Sequence, residues 1–147
     1  MERFETFTVL MARIGRSIKR IKTEEMARFQ LKGPHVSCLY YLYSSGPLTA
    51  AELCDRCEED KAAISRSLEF LEQQGYLVCQ REKTRKYKTP LVLTPKGQQA
   101  GREVSERVEQ MLAQASQGLT EEERQIMYGA LEKISSNLDL LTDKTRR

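Results

Sequence analysis

Apolar residues at Phe7, Leu10, Met11, Ile14, Ile18 and Ile21 recur every three or four positions, which predicts a first helix from about Glu2 to Lys22. A polar stretch runs on to Lys32, and Gly33-Pro34 then interrupts the chain, with Pro34 suited to open the next helix. That second helix, about His35 to Ser44, is apolar almost all round and belongs in the middle of the fold. Gly46-Pro47 ends it. Thr49 with Glu52 forms a capping box for a third helix that closes near Cys57. Asp60 can cap a fourth, running to about Gln74, where Gly75 takes the left-handed position. Two short β-prone runs follow, Tyr76 to Cys79 and Pro90 to Leu93, and the charged segment between them predicts a hairpin. Thr94-Pro95 starts a long helix with Val104, Val108, Met111, Leu112 and Ala115 on one stripe, closed by Gly118. Thr120 and Glu123 box the start of a last helix carrying Ile126, Met127, Ala130, Leu131, Ile134, Leu138 and Leu141. The predicted order is ααααββαα, a mainly α fold with a small β-hairpin.

Composition narrows the class. A chain of 147 residues is one domain, here with helical extensions, and 31% charged residues beside 39% hydrophobic ones describe a globular protein with a charged surface. The net charge of +3 hides a polarity. Arg81, Lys83, Arg85, Lys86 and Lys88 crowd the hairpin against the single acid Glu82, whereas Glu121, Glu122 and Glu123 stand together near the C-terminus. A local basic ribbon suits a grip on a polyanion from one face. No apolar run approaches the ~18 residues of a membrane span, and MERFETF lacks the basic and apolar regions of a signal peptide. A cytoplasmic location is expected, where the four cysteines are thiols rather than disulfides.

Two short helices followed by a basic hairpin, residues 49–94, have the layout of a device that places one helix in the DNA major groove and a ribbon along the adjacent backbone. On the fourth helix Ile64, Leu68 and Leu71 share the face that must turn inward, leaving Lys61, Ala62, Ser65, Arg66 and Glu69 outward. Arg66 can pair bidentately with guanine, Ser65 can bond a base or phosphate, and Ala62 permits close approach. Lys61 suits a phosphate near the helix start, with Thr49 one helix earlier completing the set. In the ribbon, Arg81, Lys83, Arg85 and Lys86 would line the phosphates, and an arginine tip can enter a narrow minor groove. The competing readings are a solvated helix face and a lysine-protected strand edge. The terminal helices exceed what a DNA-reading core of roughly 60 to 70 residues needs to cover itself. Their stripes call for a second copy in a two-fold dimer, which matches a palindromic operator on double-stranded DNA.

The segment Leu48 to Gly101 resembles the MarR family of bacterial winged helix-turn-helix transcriptional regulators, carried by LTAAELCDRC, DKAAISRSLEFLEQQGYL, the basic wing and LVLTPKGQQAG in that order. The resemblance implies a dimerisation helix and linker in residues 1–33, a winged helix-turn-helix domain in 34–94 and dimerisation helices in 95–147. It further implies a recognition helix at Asp60 to Gln74, a wing at about Leu77 to Leu93 and a repressor that a small-molecule effector releases from DNA. An effector cleft between the lobes would then involve Ile14, His35, Cys38 and Tyr41. Two features depart from the family pattern. The wing reads Arg81-Glu82-Lys83-Thr84-Arg85-Lys86-Tyr87 without the usual aspartates, and Cys57-Glu58-Glu59-Asp60 places acids in the turn before the recognition helix.

Cys54-x-x-Cys57 raises redox and metal readings. Leu53 and Cys57 share the buried stripe of the third helix, so Cys57 reads as core, and zinc would need two further ligands from a chain with one histidine. The peroxide-sensing branch of the family places its reactive cysteine in the first helix, where this chain has none. Structural thiols are therefore expected, with no metal and no cofactor. Two other readings remain: a thiol-based redox-sensing regulator and a winged-helix scaffold that binds protein. An oxidoreductase is disfavoured because the CxxC does not follow a strand in a βαβ pattern, so no enzymatic activity is expected.

Overall fold

In a computed structural model, which describes residues 2–57, 59–79 and 88–145, the chain is mainly helical with one antiparallel hairpin. The elements are α1 (Arg3–Met26), α2 (Gly33–Ser45), α3 (Ala50–Cys57), α4 (Lys61–Gln73), β1 (Leu77–Cys79), β2 (Leu91–Leu93), α5 (Pro95–Ala115) and α6 (Glu121–Thr145). Two compact units emerge, Met1–Arg107 and Val108–Arg147.

The first unit is built around α2. Val36, Cys38, Leu39 and Leu42 are buried along it, together with His35 at its start. Leu53 of α3 and Ile64, Leu68 and Leu71 of α4 complete the apolar core, with Leu77, Leu91 and Leu93 from the hairpin and Val104 from α5. Burying side chains of this size is worth about 1.5–3 kcal/mol each. β1 and β2 pair Leu77 with Leu93, Val78 with Val92 and Cys79 with Leu91. The chain before α3 adds a further bridge, where the Leu91 amide donates to the Leu48 carbonyl at 2.8 Å. That bridge ties the base of the hairpin to the start of α3.

The first helix continues four residues beyond the predicted Lys22, and a 3-10 turn at Ala27–Phe29 extends it further. Thr23, Glu24 and Glu25 are polar, but the segment has helical reasons of its own. Arg20 and Glu24 pair at i,i+4, and Met26 and Leu31 are buried beneath it. Arg107 pairs with Glu25, its Nε donating at 2.9 Å, and so holds the end of α1 to α5.

Two glycines fix the corner where α4, β1 and α5 meet. Gly75 stands at φ +80°, a left-handed geometry that only glycine adopts freely, and lets the chain leave α4 with the Tyr76 amide bonded to the Leu71 carbonyl. Gly97 lies so close to β1 that a Cβ there would sit 1.9 Å from the Tyr76 carbonyl oxygen. Thr94 bonds the same carbonyl through its amide at 3.0 Å. The first turn of α5 therefore rests directly on the strand backbone.

In the second unit, Gly118 at φ +93° turns the chain, and the capping box of Thr120 and Glu123 opens α6. The apolar stripes of the long helices stay open in the single chain. Phe4 is 79% exposed, and Leu10, Ile14 and Ile21 of α1 are exposed as well. In α6, Ile126 is 72% exposed, with Ile134, Leu138, Leu140 and Leu141 also open. Exposed apolar surface of this extent marks a contact surface.

Replacing Gly97 by alanine forces β1 away from α5. The expected cost is about 1–3 kcal/mol, read as a lowered denaturant midpoint; an unchanged midpoint would show that the close contact is not a constraint.

Candidate nucleic-acid interface

The face of α4 is decided by what its other side buries. Ile64, Ser67, Leu68 and Leu71 are buried against the neighbouring helices α2 and α3, and the 3.6-residue period then turns Lys61, Ala62, Ser65, Arg66 and Glu69 to the outside, where all five are exposed. The N-terminal turn is fixed by Asp60, whose Oδ1 accepts from the Ala63 amide at 2.7 Å. This cap accounts for one of the acids in the turn before α4. Thr49 caps α3 in the same manner: its hydroxyl accepts from the Glu52 amide at 3.2 Å, and the Glu52 carboxylate accepts from the Thr49 amide at 3.1 Å. The Thr49 side chain is half-buried and occupied by this box.

The far end of α4 is held by residues that sequence reasoning read only as the start of α5. The Lys96 ammonium donates to the Gln74 carbonyl at 2.7 Å and lies 4.5 Å above the Tyr76 ring. The Thr94 hydroxyl donates to the Gly75 carbonyl and accepts from the Gly97 amide at 3.1 Å. A cation and a hydroxyl thus satisfy carbonyls that the helix end leaves without partners. The partners are some 20 residues apart in sequence, and only the hairpin return brings them together.

Arg81, Lys83, Arg85 and Lys86 lie outside the described residues, as does any ion pairing within that ribbon; Lys88, at its return, is exposed. Of the four residues expected at an effector cleft, Ile14 is exposed, Tyr41 half-buried, and His35 and Cys38 buried. His35 stacks on Phe70 of α4, ring centroids 4.3 Å apart and nearly parallel, and its Nδ1 accepts from the Lys32 amide at 3.0 Å. Cys38 has no exposed surface and lies in the core along α2. Cys57 is half-buried rather than core, because the fully buried position of the stripe is taken by Leu53. Among the described residues no cluster of three or more histidine, cysteine or acidic side chains could hold a metal ion.

The sequence profile of the MarR family matches residues 29–86. An uncharacterized HTH-type transcriptional regulator of Bacillus cereus is 32% identical over 129 residues, covering 84% of this chain and 83% of its own. The chain belongs to the MarR family. A MarR family regulator from Neisseria meningitidis shares the fold, with a TM-score of 0.82 at 14% identity over 99% of both chains. A MarR family transcriptional regulator from Listeria monocytogenes, solved in complex with a 26mer DNA, is 25% identical, with a TM-score of 0.79 over 94% of this chain and 89% of that one. As a MarR family member the protein is a transcriptional regulator whose α3 and α4 form the helix-turn-helix and whose β1 and β2 base the wing. None of its described helices is long and apolar enough to cross a membrane.

The His35 contact makes this MarR family protein sensitive to acid. Burial holds the imidazole below its ordinary range, the Lys32 ammonium adds to the effect, and the hydrogen bond to Nδ1 needs the neutral ring. The unfolded chain takes up that proton near pH 6.5, the folded chain only at lower pH, so the unfolded state holds more protons in between. The stability His35 contributes is complete above about pH 6.5 and is lost as pH falls through the folded value. The urea midpoint of the wild type is expected to fall more between about pH 7.5 and 5.5 than that of His35→Gln; equal declines would remove His35 as the titrating group.

Proposed function

We propose that this protein is a dimeric, sequence-specific DNA-binding repressor that a small-molecule effector releases from its operator. The observation that carries the reading is the one-sided α4, with Lys61, Ala62, Ser65 and Arg66 exposed opposite the buried Ile64, Leu68 and Leu71. Its support is the relative from Listeria monocytogenes that was solved bound to DNA. In the proposed complex the start of α4 enters the major groove. Arg66 reads guanine, Ser65 bonds a base edge or phosphate, and Lys61 neutralises a phosphate by the helix start. Thr49 stands behind it at the head of α3. Arg81, Lys83, Arg85 and Lys86 follow the backbone from the wing, adding affinity that carries little sequence information.

The exposed stripes of α1 and α6 support the dimer. Residues 1–33 and 95–147 serve dimerisation in this reading, and 34–94 serve DNA. Two copies related by a two-fold axis present two recognition helices to half-sites about one helical turn apart, and the operator is accordingly pseudo-palindromic. An effector between the dimer lobe and the DNA lobe, near Ile14, His35, Cys38 and Tyr41, would favour a separation of recognition helices that no longer fits the half-sites. The protein works in the cytoplasm without an enzymatic step.

Selection of duplexes from a random pool gives the operator, and anisotropy titrations then test the face. Arg66→Ala should lose about 1–3 kcal/mol and relax discrimination at one base pair, whereas Lys83→Ala and Lys86→Ala should weaken all sequences alike and reduce the salt slope by roughly one each. Wild-type affinity in Arg66→Ala would refute the assigned face. Absence of any salt-dependent DNA binding would favour a protein-binding scaffold instead. Sedimentation should show a dimer, and a monomer at micromolar concentration would contradict the two-fold arrangement.

A further inference from the structure

Glu69 stands in the middle of the outward face of α4, beside Arg66. The buried Ile64, Ser67, Leu68 and Leu71 centre on one line of the helix. On the opposite side Ala62, Arg66, Glu69 and Gln73 are exposed. At about 100° per residue those four fall within about 60° of one another. Lys61 and Ser65 lie towards the flanks of that arc. Side chains on the flanks of a helix lying in a groove can reach the sugar-phosphate walls, whereas its central line points at the base edges on the floor. Ala62 offers only a methyl group there, and Gln73 is the last residue of the helix. Arg66 and Glu69 are therefore the two charged groups aimed at the floor.

The Glu69 carboxylate is uncommitted within the chain. Glu24 pairs with Arg20 four residues away, and Glu121 with Arg124 three away. Arg66 and Glu69 have the same i,i+3 spacing, yet among the described residues neither forms a hydrogen bond or ion pair. An unpaired acid at the centre of a surface turned to a polyanion is repelled by the phosphates unless it meets a donor. The floor of the major groove holds two kinds of amino donor, cytosine N4 and adenine N6. Adenine also presents its N7 acceptor beside the amino group, and that lone pair repels a carboxylate. Cytosine presents the amino group alone, so the carboxylate favours cytosine. Three residues rise about 4.5 Å along the helix, slightly more than the step of about 3.4 Å between base pairs.

We propose that Glu69 is a specificity-determining residue whose carboxylate accepts a hydrogen bond from the N4 amino group of a cytosine, in the base pair next to the one whose guanine Arg66 reads. The half-site then carries two adjacent G·C pairs read by opposite charges. A wrong base beside the Arg66 pair leaves the carboxylate facing an acceptor or a methyl group, so Glu69 acts mainly by rejecting other sequences. This assignment rests on the proposed DNA reading of α4.

The test selects duplexes with the full-length protein, locates the Arg66 pair as the position where Arg66→Ala loses discrimination, and measures affinities by anisotropy. Wild type should require cytosine at a neighbouring pair and bind duplexes with any other base there about tenfold or more weakly. Glu69→Gln should prefer adenine at that position, because an amide pairs with N6 and N7 together, and should keep guanine at the Arg66 pair. Glu69→Ala should accept all four bases there within about threefold. N4-methylcytosine keeps its pairing with guanine but replaces the groove-facing N–H by a methyl group. Placed at the Glu69 position, it should weaken wild type about tenfold and leave Glu69→Ala nearly unaffected. A uniform gain in affinity for every duplex in Glu69→Gln, with base preferences unchanged, would overturn the proposal, since the carboxylate would then only repel phosphates. A Glu69-dependent position that coincides with the Arg66 pair would overturn the adjacent register. Discrimination lost in Arg66→Ala but untouched in both Glu69 variants would remove Glu69 alone. Selection of no duplex by wild type would remove the DNA reading and this assignment with it.

Discussion

The one-sided burial of α4 over α2 governs the rest of the structure. Ile64 and Leu71 are fully buried, with Leu68 beside them, and they meet a helix whose own Val36, Cys38, Leu39 and Leu42 have no outlet to solvent. Emptying any one of these positions to alanine in a packed core costs about 2–5 kcal/mol, more than any single cap or surface pair contributes. With that side fixed, the 3.6-residue period leaves no choice for Lys61, Ala62, Ser65 and Arg66, which must face outward. The chemistry of the outer face thus depends on packing done by residues that never meet a ligand.

Smaller interactions set the precision of the same helix. Asp60 closes its N-terminus, and Thr94 with Lys96 closes its C-terminus from the first turn of α5. Each is worth about 1 kcal/mol, too little to hold α4 in place alone but enough to set where its ends lie. The His35 ring stacked on Phe70 lies against α4 and couples the packing beneath that helix to protonation.

Much of this was legible in the chain. The spacing of Ile64, Leu68 and Leu71 gave the buried face of α4, and the Thr49–Glu52 and Thr120–Glu123 pairs marked helix starts that form as capping boxes. Such signals are local, and local hydrogen bonds and periodicity decide them. Periodicity alone ends α1 at Lys22, because Thr23 to Glu25 are polar, while Met26 and Leu31, which fasten the turn, answer to tertiary burial. Cys57 looked like core from its spacing to Leu53, but α3 is only eight residues long and its last position reaches the surface. The contact of Lys96 with Gln74 joins residues 22 apart, and nothing in the intervening sequence announces it. Gly97 lies within LVLTPKGQQAG, but the reason for a glycine there, the Tyr76 carbonyl beneath it, is visible only in the fold.

The open stripes on α1 and α6 complete the account, because exposed apolar residues such as Phe4 on α1, and Ile126 and Leu141 on α6, mark contact surfaces. In the proposed dimer the covering surface is a second copy, and the two outward faces of α4 then act as a pair. The most direct test places a photoreactive side chain at Ser65, on the outward face of α4, and in a separate variant at Arg102, exposed on α5. Irradiation with a selected duplex should attach DNA through position 65 and leave position 102 unmodified. Attachment through position 102 with none through position 65 would contradict the orientation of α4 on which the account rests.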